Sequence, residues 1–591
     1  MTRAETPPAL RRSPARSDKL LLALSALVCL VLAAILTFAR AEAVWRTGIF
    51  FDSDDAMRAV QLRDFLAGQA WFDLVAHRID PPDGAPMHWS RIVDVALAGL
   101  HALFALFLAP DYVERAMRLF FPFCLLGLLF FAAGWLSSAL SNIAAGLTAV
   151  WLTFMSGAMF MQFTPGRIDH HAPQIVTLLA TTLSMMQGLD PTKANRLAAA
   201  GALMTFSMAI SLENLPFFLI MIAAAPFLFI VNGAQMRHQL LWLSGGLASA
   251  ALLFYIVTVP PSAYALSYCD AFSAAHLACL ILGAAMMATL ALFAERFASL
   301  GKRACAVALC VVTLFVDIKI LAPHCIGDPL GGLDPLLRDL WLAHVTEARP
   351  LLSHYAAMPG VVISVAVPVV LALITASVFT MRTDGLAQRR WALMSALLVV
   401  GFTAGLWQTR IFTSVTPLAM AALAPAVVAI VMRLTRSYGR TLRVLLTLVA
   451  AACVSPFGIT LALPLQSHDD EENDRRCVAP ELFALIAETP PTRIVGPISL
   501  GAHFLAYSPH SVFGAPYHRN NHGNRIAIDA FMAPPEQAEG LLRAAGAGLV
   551  ALCGPGAAHS PVARAAPAGL AAALARGETP KWLTRLSPPN A

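Results

Sequence analysis

Apolar residues fill long windows of this chain, and polar ones collect in the breaks between them. Windows at 20–38, 117–138, 143–161, 172–188, 196–212, 215–232, 239–258, 277–294, 304–322, 359–380, 390–407, 412–432 and 443–463 meet or approach the length a helix needs to cross a bilayer. The pattern predicts thirteen spans. Basic residues then test the alternation. Lys193/Arg196, Arg237, Arg296/Lys302/Arg303, Arg382/Arg389/Arg390 and Arg433/Arg436/Arg440/Arg443 fall on the same side as the N-terminus. That side is expected to be cytoplasmic, because short positive loops stay inside. The loops 39–116, 162–171, 259–276 and 323–358 then face outward with the tail.

The segment Ile92 to Leu108 is apolar but short, and Asp94 and His101 interrupt it. Counting it as a span would separate the chain's two acidic clusters across the membrane. It is therefore expected to lie within the outer interface. After Leu463 the pattern changes sharply: 468–476 is a charged run and no later window could span. The chain divides into a cytoplasmic tail (1–19), a membrane domain (20–463) and a small extracytoplasmic α/β domain (464–591). Within the last, 493–498 and 548–553 are expected as short buried strands, Pro535 to Ala545 as a helix, and the Pro/Ala-rich end as poorly structured.

Composition sharpens this in a few respects. Of 591 residues, 58% are hydrophobic and 13% charged, so a carboxylate beside a span asks for a reason. The net charge of +6 is dispersed over short loops, which argues against nucleic-acid binding. The first span follows Arg3, Arg11, Arg12, Arg16 and Lys19; with so many spans behind it, it is expected to stay uncleaved. Most of the ten cysteines lie in spans. Cys477 with Cys553, and Cys269 with Cys325, can be bridged if their loops face an oxidising compartment.

Candidate chemistry sits in the outer breaks. Asp52-Ser53-Asp54-Asp55 offers carboxylate oxygens of the kind that hold Mg²⁺ or Mn²⁺ against phosphate, although acids after a span are commonly just solvated. Arg58, His88 and Arg91 follow in the same loop, among aromatics, as candidate substrate contacts; an interfacial aromatic belt is the plainer alternative. The next break carries Gly166-Arg167-Ile168-Asp169-His170-His171. Asp169, with one of the two histidines, is expected to join a metal shell, or else to cap the helix that begins beside it. Glu347, in Val345-Thr346-Glu347-Ala348-Arg349-Pro350, says nothing alone. Arg410 at an outer helix end either snorkels or grips a phosphate, and Glu213-Asn214 is either a cap or a site wall.

With these four breaks in order on one face, the chain resembles the catalytic subunits of oligosaccharyltransferases, within the GT-C class of polyprenyl-dependent glycosyltransferases. Asp54/Asp55, Arg63 and Trp71-Phe72-Asp73 are similar to the family's first outer loop. Asp169 with Arg167 is similar to its second, Val345-Thr346-Glu347 with Pro350 to a later loop, and Arg410 to its donor-contacting arginine. The resemblance covers roughly residues 20–463. It implies an all-α polytopic membrane domain of about thirteen helices. It also implies a divalent cation, Mg²⁺ or Mn²⁺, held by Asp54 or Asp55, Asp169 and Glu347, with Asp52 and His170 as further candidate ligands from the residues themselves. Asp54, Asp55, Asp169 and Glu347 would be catalytic. Arg58, His88, Arg91, Arg167, His171, Arg410, His518 and Arg519 would meet substrate. The family's Trp-Trp-Asp-Tyr-Gly string is missing, and the tail offers Tyr517-His518-Arg519-Asn520-Asn521-His522 instead.

The expected activity is therefore transfer of a sugar or glycan from a polyprenyl-phosphate or -pyrophosphate donor to a glycan, lipid or protein acceptor, away from sequon N-glycosylation. The expected place is the periplasmic face of a bacterial-type inner membrane. A transporter or flippase for polar lipid-linked material is the rival. It would predict ionisable residues mid-span and repeated halves. Asp317 and Lys319 are the main charged pair inside a span, and they lie near its outer end.

Overall fold

A computed structural model describes residues 16–328, 330–463 and 476–586. Helices Arg16–Leu36, Pro110–Leu140, Ile143–Phe154, His171–Gly188, Arg196–Ile210, Leu215–Asn232, Arg237–Thr258, Ala274–Leu292, Leu300–Leu321, Pro359–Arg382, Gly385–Trp407, Ile411–Leu434 and Arg440–Val454 occupy the thirteen apolar windows. Among the described residues, eight stretches are long and apolar enough by themselves to cross a membrane, Leu215–Thr258 counting as one. This is a multi-pass helical membrane protein.

The bundle is graded from centre to edge. In Ile411–Leu434, 72% of the most apolar window is buried, whereas in Leu300–Leu321 none of it is. The central helix carries Pro417 and Pro425, and neighbours carry Pro122, Pro226 and Pro368. Such prolines are tolerated where packed neighbours take up the freed backbone groups.

Ile92–Ala105 is a separate short helix. Its buried Val93, Asp94 and Leu97 face inward, while Val95, Leu103, Leu106 and Phe107 in and just after it are exposed.

In the C-terminal part, Arg493–Val495 is flanked by Ser511–Val512 and Ala547–Val550, all parallel. Pro535–Ala545 is a helix. The expectation of a poorly structured end is corrected as far as the described residues reach. Pro561–Ala565 and Leu570–Ala575 are helices, and Leu570 to Ala573 are buried. Small alanines let that last helix pack closely, so low sequence complexity here is dense packing. The charged run at 468–476 lies almost wholly outside the described residues.

This part is built into the first outer loop. Ile79 pairs with Val512 and extends the sheet. The Phe50 amide donates to the Tyr507 hydroxyl at 2.6 Å, and Arg78 donates to the carbonyls of Leu505 and Ser508 at 3.0 Å. Cys269–Cys325 and Cys477–Cys553 are both bridged.

Candidate active site

The helix Ser53–Leu66 starts with Asp52 as its cap, whose Oδ1 accepts the Asp54 amide at 2.8 Å. Three carboxylates thus crowd one helix N-terminus, where the backbone dipole favours negative charge. Successive residues on a helix point about 100° apart, and Asp54 and Asp55 accordingly belong to two different groups.

Asp55 turns inward. It is 1% exposed, and its Oδ1 accepts the Ile168 and Asp169 amides at 2.7 and 3.1 Å. Arg167 fills the space between the neighbouring acids: its guanidinium lies 2.6 Å from Asp52 Oδ2 and 3.4 Å from Asp55 Oδ2, and it also pairs with Asp169 Oδ2. The other Asp169 oxygen accepts the His171 amide at 3.0 Å. Capping and site-building are therefore both roles of Asp169. Gly166, at φ 98°, makes the turn that aims Arg167 inward; a side chain there would meet Val44 at 3.2 Å.

Asp54 faces the other way. Oxygens of Asp54 and Glu347 and a ring nitrogen of His171 lie within 4.8 Å of one another. Glu347 reaches this point because its loop is stitched to the turn before Ile411–Leu434. The Arg410 amide donates to the Glu347 carbonyl at 3.1 Å, and Thr409 donates twice to the Arg349 carbonyl, at 3.0 and 2.8 Å. Arg410 is partly exposed beside this group, 3.5 Å from Glu213.

The electrostatics differ accordingly. Burial raises the Asp52 carboxyl, but Arg167 outweighs it and holds it at about 2. Burial, with Asp169 and Asp52 beside it and against the pull of Arg167, lifts Asp55 to about 7. Burial lifts Asp54 well above the carboxylate range, and the charges of Asp52, Glu347 and Asp169 add to the rise. Asp54 has no arginine of its own. Two carboxylates and an imidazole this close together make a donor set that fits a divalent cation.

Several residues fall elsewhere than expected. Asp52, Asp55 and Asp169 gather on Arg167, and His170 turns to Glu213 at 3.5 Å. His171, expected to meet substrate, lies with Asp54 and Glu347 within 4.8 Å. Arg58 and Arg91 are buried on Asp94 at 2.9 and 3.1 Å, with Arg58 under the Trp89 ring, which ties the loop to the Ile92–Ala105 helix. His88 lies between Trp89 and His518, tilted to both rings. His518 and Arg519 clasp Asp270, at 2.6 Å each, instead of facing the acids. Tyr517, singled out by no sequence signal, is the tail residue that reaches the site: its hydroxyl donates to the Ser53 carbonyl at 3.3 Å, and its ring is buried against Trp89.

A helical membrane domain joined to a smaller C-terminal domain has solved counterparts. In fold the chain is similar to the archaeal oligosaccharyltransferase AglB from Archaeoglobus fulgidus, solved with an inhibitory peptide and a dolichol-phosphate. The TM-score is 0.67 at 14% identity, covering 95% of this chain and 71% of that one. The apo form of the Archaeoglobus fulgidus enzyme gives 0.66 at 14% identity, over 90% and 69%. Its complex with Zn and sulfate gives 0.61 at 14% identity, over 94% and 70%. No protein-family model matches the chain, and no curated protein matches it in sequence. At this identity the likeness is one of fold.

Proposed function

We propose that this protein is a membrane glycosyltransferase that moves a sugar or glycan from a polyprenyl-phosphate or -pyrophosphate donor to an acceptor at the extracytoplasmic face. One observation carries the reading: Asp54, His171 and Glu347, from three separate connections, converge within 4.8 Å beside Arg410 on an oligosaccharyltransferase fold. The neighbour's dolichol-phosphate and the neighbour's Zn complex support a lipid-linked donor and a bound metal. Both bridged cysteine pairs fit an oxidising compartment, such as a bacterial periplasm.

In this reading Asp54, His171 and Glu347 hold Mg²⁺ or Mn²⁺. The cation, when bound, neutralises charge on the departing phosphate. Arg410 supplies a planar fork to the same phosphate. Arg167 keeps Asp52, Asp55 and Asp169 in place, which fixes the helix start that presents Asp54. Asp55 accepts two amides of the 167–171 turn and so holds His171 opposite Asp54. The sequence has no Trp-Trp-Asp-Tyr-Gly string, which supports reading the acceptor as something other than an Asn sequon.

The test is transfer from a polyprenyl-linked donor in membranes. Chelation should abolish it and Mn²⁺ restore it. Asp54→Ala and Glu347→Ala should each remove it. Full transfer by both variants would discard the reading.

A further inference from the structure

Glu213 sits in the short turn between Arg196–Ile210 and Leu215–Asn232, and its carboxylate is divided between two duties. Oε2 meets His171 Nδ1 at 2.9 Å. Oε1 lies 3.5 Å from His170 Nε2 and 3.5 Å from the Arg410 guanidinium. The turn itself is pinned. Asn214 is fully buried and donates to the Gln174 carbonyl and to Gln174 Oε1, at 2.8 Å each. Gln174 donates in turn to the Ser207 and Ser211 carbonyls, at 2.6 and 3.1 Å. Glu213 is therefore held at a fixed place relative to the helix His171–Gly188.

A neutral imidazole ligates a metal through one nitrogen only, and the hydrogen bond at its other nitrogen decides which one. A carboxylate on that second nitrogen also makes the ring a better donor. We propose that Glu213 is a positioning residue for the cation site. By accepting Nδ1–H of His171 it leaves Nε2 for the ion, and on its other oxygen it keeps Arg410 beside that ion until a phosphate takes the guanidinium over. This rests on the cation site proposed above. His170, the adjacent ring, is not interchangeable: its Nδ1 is buried without a partner, and it packs on Trp89.

The experiment uses the full-length protein in lipid nanodiscs with Mn²⁺ as the probe, read by electron paramagnetic resonance. Wild type should bind Mn²⁺ with nitrogen modulation in the echo envelope, and His171→Ala should lose that modulation. Glu213→Ala should weaken Mn²⁺ binding roughly 10- to 100-fold and diminish the nitrogen signal. Glu213→Gln keeps an acceptor oxygen without the charge, so it should fall between the two and guards against a misfolded alanine variant. Melting temperatures report folding separately. Wild type that binds no Mn²⁺ would overturn the underlying cation site. Wild type that binds, with both Glu213 variants equal to it in affinity and nitrogen signal, would overturn the positioning role alone.

Discussion

Two acidic groups lie one residue apart at the start of the helix Ser53–Leu66, and they have opposite characters. Asp52, Asp55 and Asp169 enclose a guanidinium that belongs to the chain itself. Asp54, His171 and Glu347 gather around no lysine or arginine among the described residues. The first group carries its own guanidinium, while in the second burial and neighbouring acids push Asp54 well above the carboxylate range. Scaffold and workplace are thus separated by about 100° of helix rotation.

The sharpest way to break this contrast is to exchange what each group lacks or holds. Arg167→Met leaves buried carboxylates uncompensated and should cost about 3–5 kcal/mol, read as a lowered unfolding midpoint in detergent. Asp54→Asn should do the reverse to folding, holding or raising that midpoint by removing a carboxyl that burial and neighbouring acids disfavour. It should nonetheless slow transfer by about 10²–10³-fold, the usual loss when one electrostatic group of a site is removed. If Arg167→Met left stability intact, or Asp54→Asn lowered it as much, the division into scaffold and workplace would be wrong.

A milder contrast concerns the clasp of His518 and Arg519 on Asp270. Burial raises the Asp270 carboxyl, but its bonds to His518 and Arg519 outweigh this and hold it far below the usual range. A depressed carboxylate stabilises above its unfolded pKa and loses that contribution as pH falls. The stability gap between wild type and Asp270→Asn should therefore be full at pH 7 and shrink as pH drops below about 4. A gap unchanged down to pH 3 would remove the clasp from the ledger of stabilising contacts. Smallest of all, Cys269→Ser with Cys325→Ser should lower the unfolding free energy by about 2–4 kcal/mol or less, with transfer retained because Glu347 is also held by the 408–410 turn.

Much of this was legible in the residues. Each apolar window became a helix because hydrocarbon leaves the backbone little else. The strands at 493 and 547 and the helix Pro535–Ala545 followed from composition and turn chemistry, while the two cysteine bridges, left conditional on an oxidising compartment, are formed. The convergence of the outer loops was visible in their order and sidedness. The partition among the acids was not. Asp54 and Asp55 are chemically identical neighbours, and only the path of the 164–171 turn decides which one meets Arg167. Glu213 stood as a lone acid at a helix end, where a cap and a site wall read alike. His518 and Arg519 drew attention by charge, but their partner Asp270 lies some 250 residues earlier, in a loop with no signal of its own.

The union of the first outer loop with the tail sheet has a consequence for biosynthesis. Phe50 and its hydroxyl partner Tyr507 are separated by 457 residues. At roughly 5–20 residues per second of synthesis, the first loop waits about 20–90 s for its partner to arrive. During that interval the apolar rim around Phe50 and Ile79 lacks its cover, a natural station for a chaperone and the moment at which a truncated nascent chain would be recognised as unfinished.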